Sequence, residues 1–369
     1  MKKTKLLFIV EAMGGGVFTY IVDLTNKLVE NYDVYLAYAV RDQTPDDYRD
    51  YFDPRIHLIK VKNFQRSVSA LADLKAFFEI KRIADQVKPD VIHLHSSKAG
   101  ALGRFAFNGH KIPIFYTPHG YSFLMNNSSA LKRMVYQFVE KISSKRHAYT
   151  ISCSPGENQQ TLKMTKRAFY VDNGINVQVL KDKLQNIKPS AQEAPTVFTL
   201  GRISYQKNPT LFNRVAKSLP DVKFIWIGDG ELRPELTAPN IEIKGWLKRE
   251  DALKIAMGSN VFLLTSRWEG LPMSLLEAMY MKKPCVVSDI KGNNDVIHNG
   301  ENGYTCSNVP EFTQAVKQSL QSSNATKKIV LAAYDDILQK YNMDVAAAKY
   351  SAIYQSVLDQ QHGKASVKA

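Results

Sequence analysis

Two carboxylates eight residues apart, Glu269 and Glu277, stand in the stretch Thr265-Ser-Arg-Trp-Glu-Gly-Leu-Pro-Met-Ser-Leu-Leu-Glu-Ala-Met279. The apolar run Val261 to Leu264 reads as a buried strand, and Pro272 reads as the first residue of a helix, where its missing amide hydrogen would be unpaired anyway. Glu269 then lies in the turn ahead of the helix and Glu277 just over one turn inside it. The amides of Gly270, Leu271 and Met273 point out of the helix N-terminus, where unpaired N–H groups and the helix dipole favour an anion such as phosphate. An acid beside a phosphate cradle repels the phosphate unless it binds something neutral and rich in hydroxyls. The pattern therefore points to a sugar-phosphate ligand, against the alternative of an ordinary surface loop and amphipathic helix.

A second basic constellation lies upstream, in Gly201-Arg-Ile-Ser-Tyr-Gln-Lys-Asn-Pro209. Following a strand, Arg202 supplies a planar fork and Lys207 a point charge, a pairing suited to a diphosphate. Near the start of the chain, Glu-Ala-Met-Gly-Gly-Gly follows the strand Lys5 to Val10. Consecutive glycines let backbone approach a ligand closely, but they are not the G-x-G-x-x-G spacing of a dinucleotide site. His95 and His119 each follow a predicted strand, the first in His-Leu-His-Ser-Ser-Lys98 and the second in Thr-Pro-His-Gly. Ligands of parallel sheets bind beyond the carboxyl ends of strands, so both histidines, with Lys98, are candidates, although a lone histidine is as often structural.

These residues need a scaffold, and the sequence alternates predicted strands and helices throughout. Strands at Lys5–Val10, Asp33–Ala39, Ile56–Val61, Val91–His95, Ile114–Thr117 and His147–Ser152 alternate with helical patterns at 17–31, 67–87, 99–108 and 130–145. A second series, at 196–200, 223–227, 241–244, 261–264 and 285–288, follows a polar stretch from Val179 to Ala194 that suits a linker or a short helix with a hinge. Such alternation predicts parallel sheets covered by helices on both faces. At 369 residues the chain is too long for one ordinary core. Two α/β domains are expected, 1–178 and 190–343, with a last helix from Asp344 returning to the first and an irregular tail from Gln360.

The Glu-x7-Glu stretch resembles the signature of retaining glycosyltransferases with the GT-B fold, the large family four in particular. The resemblance covers nearly the whole chain. It implies two Rossmann-like domains with a cleft between them, a nucleotide diphosphate sugar as donor, and no cofactor or metal. By the same resemblance Glu269 contacts the donor sugar, Gly270 to Met273 with Pro272 hold the distal phosphate, and Glu277 binds the ribose. Arg202 and Lys207 then neutralise the departing diphosphate, Gly15 and Gly16 line the donor site, and His119 approaches the donor sugar. Trp246 falls where the nucleotide base is held, largely by backbone, with a core or packing tryptophan as the alternative. The chain departs from the pattern at Lys291-Gly-Asn-Asn-Asp295, where many relatives carry a Gly-Gly pair and a Glu. The Ser-Lys-Ala-Gly and Thr-Pro-His-Gly-Tyr segments resemble enzymes that build capsular and exopolysaccharide repeat units, which implies a polyprenyl-diphosphate-linked saccharide acceptor at the inner face of the cell membrane. A GT-B nucleotide-sugar epimerase, a transferase acting on a soluble or protein acceptor, and a non-catalytic basic binding protein are the alternatives.

Composition narrows the partners. The net charge of +14 is uneven, with +9 in residues 1–176. A basic surface suits nucleic acid, an anionic membrane or phosphorylated substrates, and the absence of zinc-finger, helix-turn-helix or RNP-type patterns leaves nucleic acid the weakest of these. No apolar run reaches the ~18 residues that span a bilayer. The three cysteines lack metal-ligand spacing, which fits a reducing cytoplasm. One helix stands out: Leu131, Met134, Val135, Phe138 and Ile142 recur at helical spacing among Lys132, Arg133, Lys141, Lys145 and Arg146. That stripe either packs on the sheet or lies in the interface of an anionic membrane.

Overall fold

The computed structural model describes residues 3–41, 44–65, 69–124, 129–190, 192, 194–321 and 323–366. Two compact units share the chain: 1–173 with 343–369, and 174–342.

The first unit is built from β1 (Thr4–Met13), α1 (Gly15–Leu28), β2 (Tyr32–Val40), β3 (His57–Lys60), α2 (Ala70–Val87), β4 (Val91–His95), α3 (Ser97–Ala106), β5 (Ile114–Thr117), α4 (Ala130–Ser144), β6 (Tyr149–Ser152), α5 (Pro155–Leu162) and β7 (Ala168–Tyr170). Its seven strands run in the order β3-β2-β1-β4-β5-β6-β7, paired in parallel. Side chains alternate across a strand. Ile92 and Leu94 of β4 therefore pack with Ala76, Ile80 and Ile83 of α2 on one face. His93 and His95 point to the other face, where the rings of Phe8, Tyr350 and Tyr354 surround His93 and Phe8 also covers His95.

The second unit holds α6 (Val177–Gln185), β8 (Thr196–Leu200), α7 (Pro209–Lys217), β9 (Lys223–Ile227), β10 (Ile241–Gly245), α8 (Arg249–Gly258), β11 (Val261–Leu264), α9 (Met273–Tyr280), β12 (Cys285–Ser288), β13 (Tyr304–Cys306), α10 (Val309–Leu320) and α11 (Asn324–Gln339). Its parallel sheet runs β10-β9-β8-β11-β12-β13. The polar stretch from Val179, expected as a linker or a short helix with a hinge, is entered by the helix α6, capped by the Asn176 side chain, which accepts from the Val179 amide.

The chain leaves the first unit at Asn173/Gly174, ahead of the expected residue 178, and re-enters it at Asn342/Met343. The last helix, α12 (Met343–Ser366), packs on α1 and closes the face carrying His93: the Tyr20 and Tyr350 hydroxyls are 2.7 Å apart and the Tyr354 hydroxyl lies 2.6 Å from His93 Nδ1. The irregular tail expected from Gln360 is instead helical as far as Ser366, and residues 367–369 lie outside the described residues.

Candidate functional site

Each sheet carries a cluster of chemically capable groups at its carboxyl edge. In the second unit, β11 delivers Thr265 and Ser266 into a turn that ends at α9. Pro272 is the cap of that helix, extended at φ −77° and ψ 122°, one residue earlier than the N1 place its sequence suggests. The first internal bonds run from the Leu275 and Leu276 amides to the Pro272 carbonyl, so the Met273 and Ser274 amides lie at the open helix end. Gly270 and Leu271 precede them in the same turn.

Glu269 accepts from Lys207 Nζ at 2.7 Å, Ser266 Oγ at 2.6 Å and Gln206 Nε2 at 3.2 Å. Its side chain is 7% exposed, and that of Lys207 17%. The loop bearing Arg202 and Lys207 is stitched to this turn by Arg267 N–H to the Gln206 carbonyl and by Thr265 Oγ1 to the Lys207 carbonyl. Arg202, more exposed, pairs with Glu231 at 3.0 Å. Glu277 is held by both terminal nitrogens of Arg249, from the first turn of α8, with Nη1–Oε2 at 2.9 Å. The two acids at the helix end are thus each neutralised by a cation from another segment, Lys207 from a loop and Arg249 from α8, which relieves the repulsion an incoming phosphate would meet. Trp246, between β10 and α8, is 58% exposed. Arg249, Ser266 and Gln206 are not singled out by the sequence: Arg249 and Gln206 lie 28 and 63 residues from their carboxylate partners, so that only the fold reveals the pairing, whereas Ser266 bonds Glu269 within the same turn.

The divergent loop at 291–295 has a definite role. Gly292 takes φ +90°, and a Cβ there would meet the Gly270 carbonyl oxygen at 2.6 Å and that of Glu269 at 2.8 Å. Glycine lets this loop buttress the Glu269–Gly270 backbone directly.

In the first unit, α1 begins at Gly15, which has φ +55° and, with Gly16, is exposed to solvent at the helix N-terminus. His119 follows β5 and also adopts positive φ, +56°, as does Ser96 after β4, +74°. Such backbone is costly for a residue with a side chain and persists where surrounding contacts enforce it. Here Glu157 is one enforcer: its buried carboxylate accepts from the Gly120 amide at 2.7 Å and from the Cys153 amide at 2.8 Å, and burial raises its pKa. His95 Nδ1 lies 3.0 Å from His119 Nε2, and Tyr20 of α1 meets the His119 ring edge-on. Desolvation holds His93 and His95 well below the usual imidazole pKa and brings the partly exposed His119 down to about 3, so all three rings are neutral. Lys98 is turned to Asp73, at 2.7 Å.

One predicted helix faces opposite to the usual arrangement. The buried residues of α4 are Glu140, Ser143 and Ser144. Glu140 pairs with buried Arg104 at 2.7 Å and accepts from the Tyr116 hydroxyl at 2.8 Å. The apolar stripe is outside: Leu131, Met134, Val135 and Phe138 are each at least half exposed.

Comparison with known proteins bears on both halves. Residues 14–179 match the model described as Glycosyltransferase Family 4, and residues 194–322 the one described as Glycosyl transferases group 1. The chain is 31% identical over 324 residues, covering 76% of it and 81% of the relative, to the UDP-Gal:alpha-D-GlcNAc-diphosphoundecaprenol alpha-1,3-galactosyltransferase of Escherichia coli. It is 21% identical over 374 residues, 94% of the chain and 97% of the relative, to the N,N'-diacetylbacillosaminyl-diphospho-undecaprenol alpha-1,3-N-acetylgalactosaminyltransferase of Campylobacter jejuni. In fold it is similar to the sucrose-phosphate synthase of Thermosynechococcus elongatus, with a TM-score of 0.82 over 97% of the chain and 100% of that structure, at 15% identity. With two parallel Rossmann-like sheets, the Glu269/Glu277 turn and matches across both units, the chain belongs to glycosyltransferase family 4 and has the GT-B fold.

Proposed function

We propose that this glycosyltransferase moves a hexosyl or N-acetylhexosaminyl group from a UDP-sugar to a polyprenyl-diphosphate-linked saccharide, with retention of configuration, in surface polysaccharide synthesis. The observation that carries the reading is the turn at α9, where cation-paired Glu269 and Glu277 flank open helix amides with Lys207 and Arg202 on the adjacent loop. The activities for which the Escherichia coli and Campylobacter jejuni relatives are named support the acceptor class. As the sugar–phosphate bond breaks, Arg202, Lys207 and the helix amides stabilise the growing charge on the diphosphate, and a donor phosphate oxygen takes the acceptor proton. The positive charge supplied by Arg202 and Lys207 makes a divalent ion unnecessary in this reading.

The test is transfer from a panel of UDP-hexoses to a short polyprenyl-diphosphate-N-acetylglucosamine, read by mass spectrometry, with and without EDTA and with NMR of the new linkage. Product with a retained anomeric centre and no EDTA effect is expected. Epimer formed without acceptor, or rescue by a divalent ion, would overturn the corresponding part.

The role of Glu277 gives a sharper expectation. Glu277→Ala and Arg249→Ala should each weaken UDP binding by about tenfold or more, the worth of a charge-assisted hydrogen bond in a nearly buried site. Glu269→Ala should lower turnover more than UDP affinity. Calorimetric titration with UDP separates the two, and equal loss of affinity in the Glu269 and Glu277 variants would remove the assignment.

The outward face of α4 supports docking on an anionic leaflet. Its apolar stripe is exposed while Lys132, Lys141, Lys145 and Arg146 surround it in solvent, and each basic residue near such a surface adds about 1 kcal/mol. Sedimentation with phosphatidylglycerol vesicles should show binding that falls at high salt and is lost in a variant with Lys132, Arg133, Lys141 and Lys145 changed to Glu. Binding unchanged in that variant would point to another docking face.

A further inference from the structure

We propose that His95 is a positioning residue that fixes the tautomer of His119, so that His119 presents an Nδ1–H donor to an oxygen of the donor sugar. The inference rests on the reading of His119 as a sugar contact.

Two neutral imidazole rings share two protons among four nitrogens. His95 Nδ1 and His119 Nε2 are 3.0 Å apart, so one must be N–H and the other a lone pair. The remaining nitrogen of His95 decides which. His95 is wholly buried, stacked on Phe8 at 5.0 Å, and its Nε2 has no hydrogen-bond partner among the described residues. A buried N–H without an acceptor is rarer and costlier than an acceptor without a donor. Nε2 is therefore the lone pair, and the His95 proton sits on Nδ1 and is donated to His119 Nε2. His119, having spent its Nε2 lone pair, must carry its own proton on Nδ1. Neighbouring contacts pack both rings: Phe8 stacks on His95, Tyr20 abuts His119 edge-on, and the Gly120 amide, tied to Glu157, holds the backbone beside His119. The opposite tautomer would leave a lone pair at His119 Nδ1, facing a sugar hydroxyl as acceptor instead of donor and giving nothing to a ring oxygen.

The experiment uses full-length protein labelled with nitrogen-15 histidine, and two-bond proton–nitrogen correlation spectra, with the His119 signals assigned from His119→Ala. In the wild type the expected pattern is a protonated Nδ1 and a bare Nε2 for His119, and the reverse for neither ring. His95→Asn places an amide donor where Nδ1 was and should keep that pattern, with transfer from the UDP-sugar near wild type. His95→Phe should give mixed tautomers at His119 and lower turnover by roughly a hundredfold, with UDP affinity unchanged, as expected when a preorganised donor is lost. Thermal melts confirm that both variants fold. A protonated Nε2 on wild-type His119, or an unaltered tautomer and turnover in His95→Phe when His95→Asn is folded, would overturn the proposal. If instead His119→Ala transfers normally while the wild-type tautomer is as described, the sugar-contact reading fails and the tautomer assignment stands.

Discussion

Lys207→Ala is expected to lower glycosyl transfer by about a hundredfold, near 3 kcal/mol of transition-state stabilisation, and to lower the melting temperature as well. The two losses have separate causes. Lys207 is the cation of Glu269, whose side chain is only 7% exposed, and removing one partner of a buried pair leaves an uncompensated charge. Arg202 pairs instead with a half-exposed Glu231, so Arg202→Ala should cost a similar factor in rate with little change in stability. Melting curves and initial rates on the two variants distinguish charge stabilisation of the leaving group from mere support of Glu269. An Arg202→Ala enzyme that transfers at the wild-type rate would exclude that residue from the reaction.

A second large effect concerns acid. His93 and His95 are buried and held neutral, so their folded pKa lies below the unfolded value near 6.5. Their contribution to stability is complete above pH 6.5. As pH falls below it, the unfolded chain takes up protons the folded chain refuses, and each ring removes about 1.4 kcal/mol per pH unit. His119 acts in the same sense down to its own pKa of about 3. Glu157, with a raised pKa, titrates in the opposite direction and offsets part of the loss. Urea unfolding of the first unit, followed by hydrogen exchange at pH 7.5, 6.5 and 5.5, should therefore show a steep decline. Trp226, Trp246 and Trp268 all lie in the second unit, so their fluorescence supplies an internal control. A flat profile for the first unit would contradict the buried-histidine account.

Much of the scaffold was legible because central parallel strands are continuous apolar runs. Residues 91–95, 196–200, 223–227 and 261–264 are strands at the positions their composition indicates. The three-residue β7 and β13 were not legible, since a short edge strand pairs through its backbone and needs no side-chain pattern. In α4 the periodicity was legible but its direction was not. Sequence spacing marks an apolar stripe; the Arg104–Glu140 pair, formed across 36 residues, decides that the stripe faces out. The same limit applies at the site. Local spacing pointed to Glu269, Glu277, Arg202 and Lys207, whereas the pairing of Glu277 with Arg249 and the tie of Glu157 to the His119 turn depend on loops brought together by the fold. Positive φ at Ser96 has no local signal, because serine is not among the residues that favour it, and at His119 the signal is only the modest preference of histidine.

The return of α12 to the first unit also sets a timetable for synthesis. His93 and Tyr20 find their buried hydroxyl partners on Tyr354 and Tyr350, and between β7 and those tyrosines the ribosome must make the whole of 174–342. At roughly 5–20 residues per second that interval is on the order of ten seconds or more. Throughout it the first unit waits with one face of its sheet uncovered. The earlier-made unit is thus completed only by the last segment of the chain, and a truncation before Tyr350 would leave that face of its sheet open.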